Sequence, residues 1–239
     1  FFNVDDSLWR SDLGIYQAAV KVAVIMSLFV QTFRFASEPF FFARAKDKDV
    51  KLTYSKIMEY FVAFCMLIFL GVVLYIDVLQ FIVGRDFRSG MSIVPIMLIS
   101  YILMGMLFNV SMWYKLSDKS SYAIYITLSG LVVTAVINVV FLPKYSYYAA
   151  AWGHFFSYLT MLVVSVLMGR KYYHIPYRWG KILLIVIFAL IIYALSTIVP
   201  ANWPMVARLG VNTVLILMYI AGYCLIEKYL TRYESKNCK

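Results

Sequence analysis

Three observations predict an all-α integral membrane protein with seven transmembrane helices. Of its 239 residues, 63% are hydrophobic and 14% charged, with mean hydropathy +0.80; an ordinary soluble domain has about 45 to 50% apolar and about 25% charged residues. Seven apolar runs approach the roughly 20 residues that a helix needs to cross a bilayer. Basic residues alternate in density from one connection to the next, as the positive-inside rule requires. Transmembrane strands of about 10 alternating residues would leave a different pattern.

The first run, residues 13–43, is apolar but carries Gln17, Lys21, Gln31, Arg34 and Glu38. Unpaired, each ionised group would cost about 2.5 to 3.5 kcal/mol in hydrocarbon, so such residues face one another, a wet cavity or protein. At roughly 100° per residue, Gln17, Lys21, Ser27, Gln31, Arg34 and Glu38 share an arc of about 140°, with Val22, Ile25, Met26, Phe29, Val30 and Phe33 on the remainder. Arg34 and Glu38 are four apart and can pair on one helix face, as a structural or gating ion pair. Pro39 is expected to end or kink this helix.

The second run is 54–76. Its Glu59 is expected to reach back to Lys56, and Asp77 to sit at the interface. The mixed segment 77–90 suits a short helix at the outer surface. The third and fourth runs are 91–114 and 122–142, in which Asn109 and Asn138 are expected to cross-link helices. Asn109 also opens a glycosylation sequon, at a depth that forbids modification. The fifth run is 149–169, where His154 stands among Trp152, Phe155 and Phe156 and reads as a packed histidine rather than a proton carrier. The sixth and seventh are 181–199 and 205–227; Pro143 and Pro176 are expected in loops, and Pro200 with Pro204 frames a tight turn.

Net charge is +10, which in this composition speaks of topology rather than nucleic acid. Four segments hold Arg44, Lys46, Lys48, Lys51 and Lys56; Lys115 and Lys119; Arg170, Lys171, Arg178 and Lys181; and Lys228, Arg232, Lys236 and Lys239. The alternating segments hold only Arg10, Arg85, Arg88, Lys144 and Arg208. The bias predicts an external N-terminus and a cytoplasmic C-terminus. The basic 43–55 loop would hold the cytoplasmic side, with contact to anionic membrane lipids a secondary role. Trp9, Trp113, Trp152, Trp179 and Trp203 all fall near predicted helix ends, the aromatic-belt position. Trp113-Tyr114-Lys115 and Arg170-Lys171-Tyr172-Tyr173 read first as interfacial anchors.

Cys65, Cys224 and Cys238 show no paired spacing, so neither a disulfide framework nor a zinc site is expected. With no nucleophile–base pair, phosphate-cradling loop or metal-ligand cluster, the chain reads as a non-enzyme without cofactor.

Four blocks carry a family resemblance: GIYQAAVKVAVIMSLFVQTFRFASEPFFF from Gly14, NVSMWYKLSDKSSYAIYI from Asn109, INVVFLPKYSYYAAAWG from Ile137 and MGRKYYHIPY from Met168. In order and content they resemble the polysaccharide flippase family of the multidrug/oligosaccharidyl-lipid/polysaccharide exporter superfamily, especially its Bacteroidetes-type members. The resemblance implies helices eight to fourteen of a two-lobed, 14-helix transporter in the bacterial inner membrane. It also implies alternating access and a polyprenyl-pyrophosphate-linked oligosaccharide as substrate. Residues 13–177 would be the C-terminal lobe and 178–228 two further spans, flanked by an outer segment, 1–12, and a cytoplasmic tail, 229–239. Because the chain opens on Phe1 without a leader, the missing N-terminal lobe of the same polypeptide is an expected partner. Lys21, Arg34, Gln17 and Gln31 become cavity-lining candidates, since ammonium and guanidinium groups replace the hydration a phosphate loses. Glycines common in the family block after Pro143 are Ser146 and Ala149 here, and a Gly-Ala pair is Ala123-Ile124.

Three other functions fit the sequence less well. A drug or cation antiporter of the same superfamily would favour dedicated acidic residues in mid-membrane, which are scarce. A seven-helix receptor fits the span count, but lacks external cysteines, an Asp-Arg-Tyr-like triplet and NPxxY. A glycan ligase or polymerase would need a long catalytic outer loop.

Overall fold

The computed structural model describes residues 6–45, 47, 49–199 and 203–237, with side chains placed for 11–45, 47, 49–199 and 203–229. Several features used above lie outside the described side chains: Trp9, Arg10, Lys46, Lys48, Pro200, Arg232, Lys236, Cys238 and Lys239. Among the described residues every regular element is helical. The long helices are α1 (Asp6–Ala43) and α2 (Val50–Leu74), then, after the short α3 (Ile76–Leu79), α4 (Val94–Val110). The short α5 (Met112–Leu116) leads to α6 (Tyr122–Tyr145), α7 (Tyr147–Tyr172), α8 (Trp179–Ile198) and α9 (Met205–Asn237). Seven helical stretches are long and apolar enough to cross a membrane, and each contains or closely overlaps one predicted run.

Two compact units make up the chain. Residues 1–58 and 78–177 form the first; 59–77 and 178–239 form the second. The part of the second run from Glu59 onward clusters with the C-terminal helices, although α2 itself is continuous.

In the first unit α1 packs on α4, α4 on α7 and α7 on α6. The contacts use small residues, which let helix backbones approach where lipid removes the hydrophobic drive for association. Ala19 and Ala23 are fully buried on α1. A side chain at Gly130 of α6 would collide with Met161 and Ser157 of α7, and the Ser157 hydroxyl donates to the Gly130 carbonyl at 3.0 Å. The rest of α6 displays Leu128, Leu131, Val132, Val136, Val139 and Val140, an exposed apolar face suited to hydrocarbon.

Between α3 and α4, residues 85–93 form a 3-10 helix that packs against α1. The expected surface helix is thus two short pieces, with Phe81 and Ile82 prominently exposed. The α6–α7 turn is made by Ser146 at φ 47°, ψ −130°, the conformation of the first central residue in a type II′ turn, usually glycine. Its hydroxyl donates to the Asp12 carboxylate, a bond that glycine could not make.

Near the other end of α1, Phe41, Val50, Tyr54, Met112 and Ile175 form an apolar cluster. Tyr54 donates to the Phe41 carbonyl at 2.7 Å, and the Phe41 and Tyr54 rings meet edge-on at 4.7 Å. Burial raises the Tyr173 and Tyr177 phenol pKa values, so both remain protonated hydrogen-bonding groups at neutral pH.

Pro39 lies inside α1, which runs on to Ala43, and Pro143 lies inside α6 rather than in a loop. Each ring removes one hydrogen bond of its helix, a loss that the flanking turns tolerate near a terminus. Trp113 is fully buried instead of interfacial: it stacks on Tyr172 with centroids 5.8 Å apart, and its indole N–H donates to Ser165 at 3.1 Å. By contrast, Trp152 and Trp203 are exposed.

In the second unit α8 packs on α9. Asn212 donates to the Leu74 carbonyl, and Tyr219 donates to that of Ala63 at 2.9 Å. Asp77 pairs with Arg208 at 2.6 Å.

Gly90 and Gly71 separate close packing from open space. A Cβ on Gly90 would sit 2.5 Å from the Ile15 carbonyl oxygen, whereas one on Gly71 would meet nothing within 4 Å. Gly90→Ala is expected to destabilise by about 1 to 3 kcal/mol through overpacking. Gly71→Ala is expected to be neutral or stabilising by up to about 1 kcal/mol. Thermal unfolding of the two variants in detergent measures the contrast.

Candidate functional site

All five candidate residues lie on α1, but they do not share one environment. The buried stripe of α1 is Ala19, Val22, Ala23, Met26, Ser27 and Val30, which recurs at helical spacing. Gln17, Lys21 and Gln31 are exposed, while Arg34 and Glu38 are half-buried. The 140° arc therefore crosses a packing boundary: Ser27 lies inside it, and Ile25, expected opposite, is exposed.

Gln17 and Lys21 line a groove of about 430 Å³. Its α1 side also includes Gly14, Ala18, Val22 and Ile25; Leu79, Ile82, Val83, Gly84 and Phe87 form the facing wall. Gly14 keeps that wall close, since a Cβ there would approach the Phe87 ring to 2.6 Å. Among the described residues Lys21 has no ion-pair partner. A lone ammonium above an apolar wall can hold an anion whose remainder is hydrocarbon.

Farther along α1, Gln31 donates to the Ser27 hydroxyl at 3.2 Å. Beyond it Arg34, Glu38 and Lys115 border a separate pocket of about 80 Å³ between α1, α4 and α5. Arg34 and Glu38 approach to 3.6 Å, and Lys115 makes the shorter contact with the Glu38 carboxylate. The Arg34 guanidinium also lies 4.5 Å from the centroid of the Phe108 ring, within cation–π range. Asn109 donates to the Gly105 carbonyl of its own helix, and its buried side-chain oxygen has no hydrogen-bond partner. It does not bridge helices as expected.

Lys115 is the residue sequence reasoning missed. Read locally, it belongs to an aromatic-basic anchor cluster; its partner lies 77 residues away. The long separation leaves no periodic signal. Its placement follows from Trp113: Gly169 leaves space for the indole, whose ring would be 3.0 Å from a Cβ there, and Tyr172 closes the other side.

Glu59 also departs from its expected pairing. It is buried and does not pair with Lys56; its oxygens meet Lys181 at 2.7 Å and Arg178 at 3.7 Å. Asn138 also leaves its side-chain oxygen without a hydrogen bond, close to Gly153. His154 packs edge-on against Tyr158 at 5.6 Å. Among the described residues no three His, Cys, Asp or Glu side chains gather as metal ligands.

Removing Lys115 leaves Glu38 with only the more distant Arg34. Lys115→Met is expected to cost about 1 to 3 kcal/mol of stability, the usual consequence of stripping a partner from a partly buried charge. Adding Glu38→Gln should recover part of the loss, and Arg34→Ala alone should cost less. Equal destabilisation by Lys115→Met and Arg34→Ala in thermal unfolding would contradict this ranking. Compared with known proteins, the chain matches no family model, no curated protein and no solved structure.

Proposed function

We propose that the chain is the C-terminal part of a membrane flippase that moves a lipid-linked oligosaccharide across the bacterial inner membrane by alternating access. The observation that carries this reading is Lys21, unpaired among the described residues and set on a groove with an apolar facing wall. A polyprenyl-pyrophosphate glycan combines an anionic head with a long hydrocarbon tail, and such a surface offers one group for each. The ordered sequence blocks that resemble polysaccharide flippases support the same reading.

On this proposal the seven spans correspond to helices eight to fourteen of a 14-helix transporter, with the N-terminus outside and the C-terminus cytoplasmic. A missing N-terminal lobe supplies the opposite wall of the cavity. Gln17 and Gln31 offer amide hydrogen bonds to head-group or glycan oxygens. Arg34 offers a second cation, restrained by Glu38. Rocking of one lobe against the other would expose the substrate to alternate sides.

The test is export of the cell-surface glycan by the complete protein in cells lacking the native copy. One charge-assisted contact is worth about 1.5 to 3 kcal/mol, so Lys21→Ala should reduce export by about 10- to 100-fold, by the factor of ten per 1.4 kcal/mol. Lys21→Arg should retain most of it. Membrane insertion is followed by fluorescence-detected size exclusion of the solubilised protein. Normal export from inserted Lys21→Ala would exclude Lys21 as a substrate contact.

A further inference from the structure

The second unit contains a charged cluster that the proposed substrate groove does not use. Lys181, in the first turn of α8, places its ammonium 2.7 Å from Glu59 of α2 and 2.6 Å from Glu227 of α9. The Lys181 and Glu59 side chains are only 6% and 3% exposed. The remaining Glu227 oxygen accepts a hydrogen bond from Tyr60 at 3.3 Å. The remaining Glu59 oxygen is buried without a hydrogen bond and has only Arg178 at 3.7 Å.

We propose that Glu59 and Glu227 form a seat for a monovalent cation and that the chain fills it with its own Lys181. Two carboxylates from different helices converge on one positive centre, as they would on a bound alkali ion coordinated by oxygen. The Glu59 oxygen that faces Arg178 makes no hydrogen bond, so it is a ligand for an ion beyond those the ammonium uses. Tethering makes the cation permanent. The C-terminal unit thus assembles independently of the ionic composition around it, while an untethered ion of the same charge can occupy the seat once the lysine is neutralised.

This site differs from a carboxylate held by a single basic neighbour. Loss of one partner from a simple buried pair leaves an uncompensated charge and generic destabilisation. Loss of the shared lysine here leaves two convergent carboxylates beside Arg178 and the Tyr60 hydroxyl, an arrangement that selects a small cation over a large one. Binding to the folded state alone raises stability with ligand concentration and saturates.

The experiment compares thermal unfolding of the full chain and Lys181→Met in detergent. NaCl and KCl are titrated against N-methylglucamine chloride at constant ionic strength and pH. The parent should show the same Tm in every salt. Lys181→Met should start lower and gain several degrees, saturably, in NaCl or KCl but not in N-methylglucamine chloride. Adding Glu59→Gln to Lys181→Met should abolish that salt selectivity. A Lys181→Met variant indifferent to cation identity would overturn the proposal, as would a parent protein with the same sodium or potassium dependence. If Lys181→Met is recovered only aggregated, Lys181→Ala is purified with ethylammonium chloride or with ethanol at equal concentration. Rescue of a monodisperse protein by ethylammonium alone supports the seat; equal behaviour in both overturns it.

Discussion

A carboxylate placed inside an apolar helix must find a cation, and this requirement organises both units. The effective penalty for burying an ion is several kcal/mol even after relaxation. In the first unit Glu38 is met by Lys115 and Arg34; in the second, Glu59 and Glu227 share Lys181, and Asp77 meets Arg208. Except for Arg34 and Glu38, these partners come from different helices or their ends. Each contact therefore fixes a register as well as neutralising a charge. This matters where lipid tails are as apolar as the helices and hydrophobicity cannot by itself hold them together.

Ion pairing works only because packing delivers the cations. Gly169 admits Trp113 to a site against α7, and the indole bonds to Ser165 while stacking on Tyr172. Tyr122 and Tyr172 are joined through their hydroxyls at 2.6 Å, and Lys119 lies 3.7 Å above the Tyr172 ring. The result is an anchored α5, one residue beyond α4, from which Lys115 reaches Glu38. Without the small residue at 169, the tryptophan would need another position and the lysine another direction. Sterics in the aromatic cluster thus control electrostatics on α1.

The seven spans were legible because hydropathy is a local property and each run is near the length a bilayer imposes. What the sequence concealed depends on residues distant in the chain. Lys56 is close to Glu59 in sequence, yet the carboxylate meets Lys181 and Arg178. Trp113 near a predicted helix end has the composition of an interfacial anchor, but burial is decided by the space at Gly169. The division within α2 was equally hidden: its hydropathy is continuous, while its two parts cluster with different helices. Helical periodicity did place Arg34 and Glu38 together. It could not reveal that the polar arc of α1 crosses from an exposed groove to a packed ion pair.

That division gives the two candidate cations on α1 different chemistry. Arg34 already has a carboxylate at 3.6 Å and an aromatic ring beneath its guanidinium. An incoming anion there would compete with Glu38, so binding would include the cost of loosening an existing pair. Lys21 has no such competitor among the described residues, and its groove offers apolar surface beside the charge. On the flippase reading, initial capture therefore belongs to Lys21. Arg34 contributes only when Glu38 can turn wholly to Lys115, and that second cation keeps the exchange from stranding a bare carboxylate.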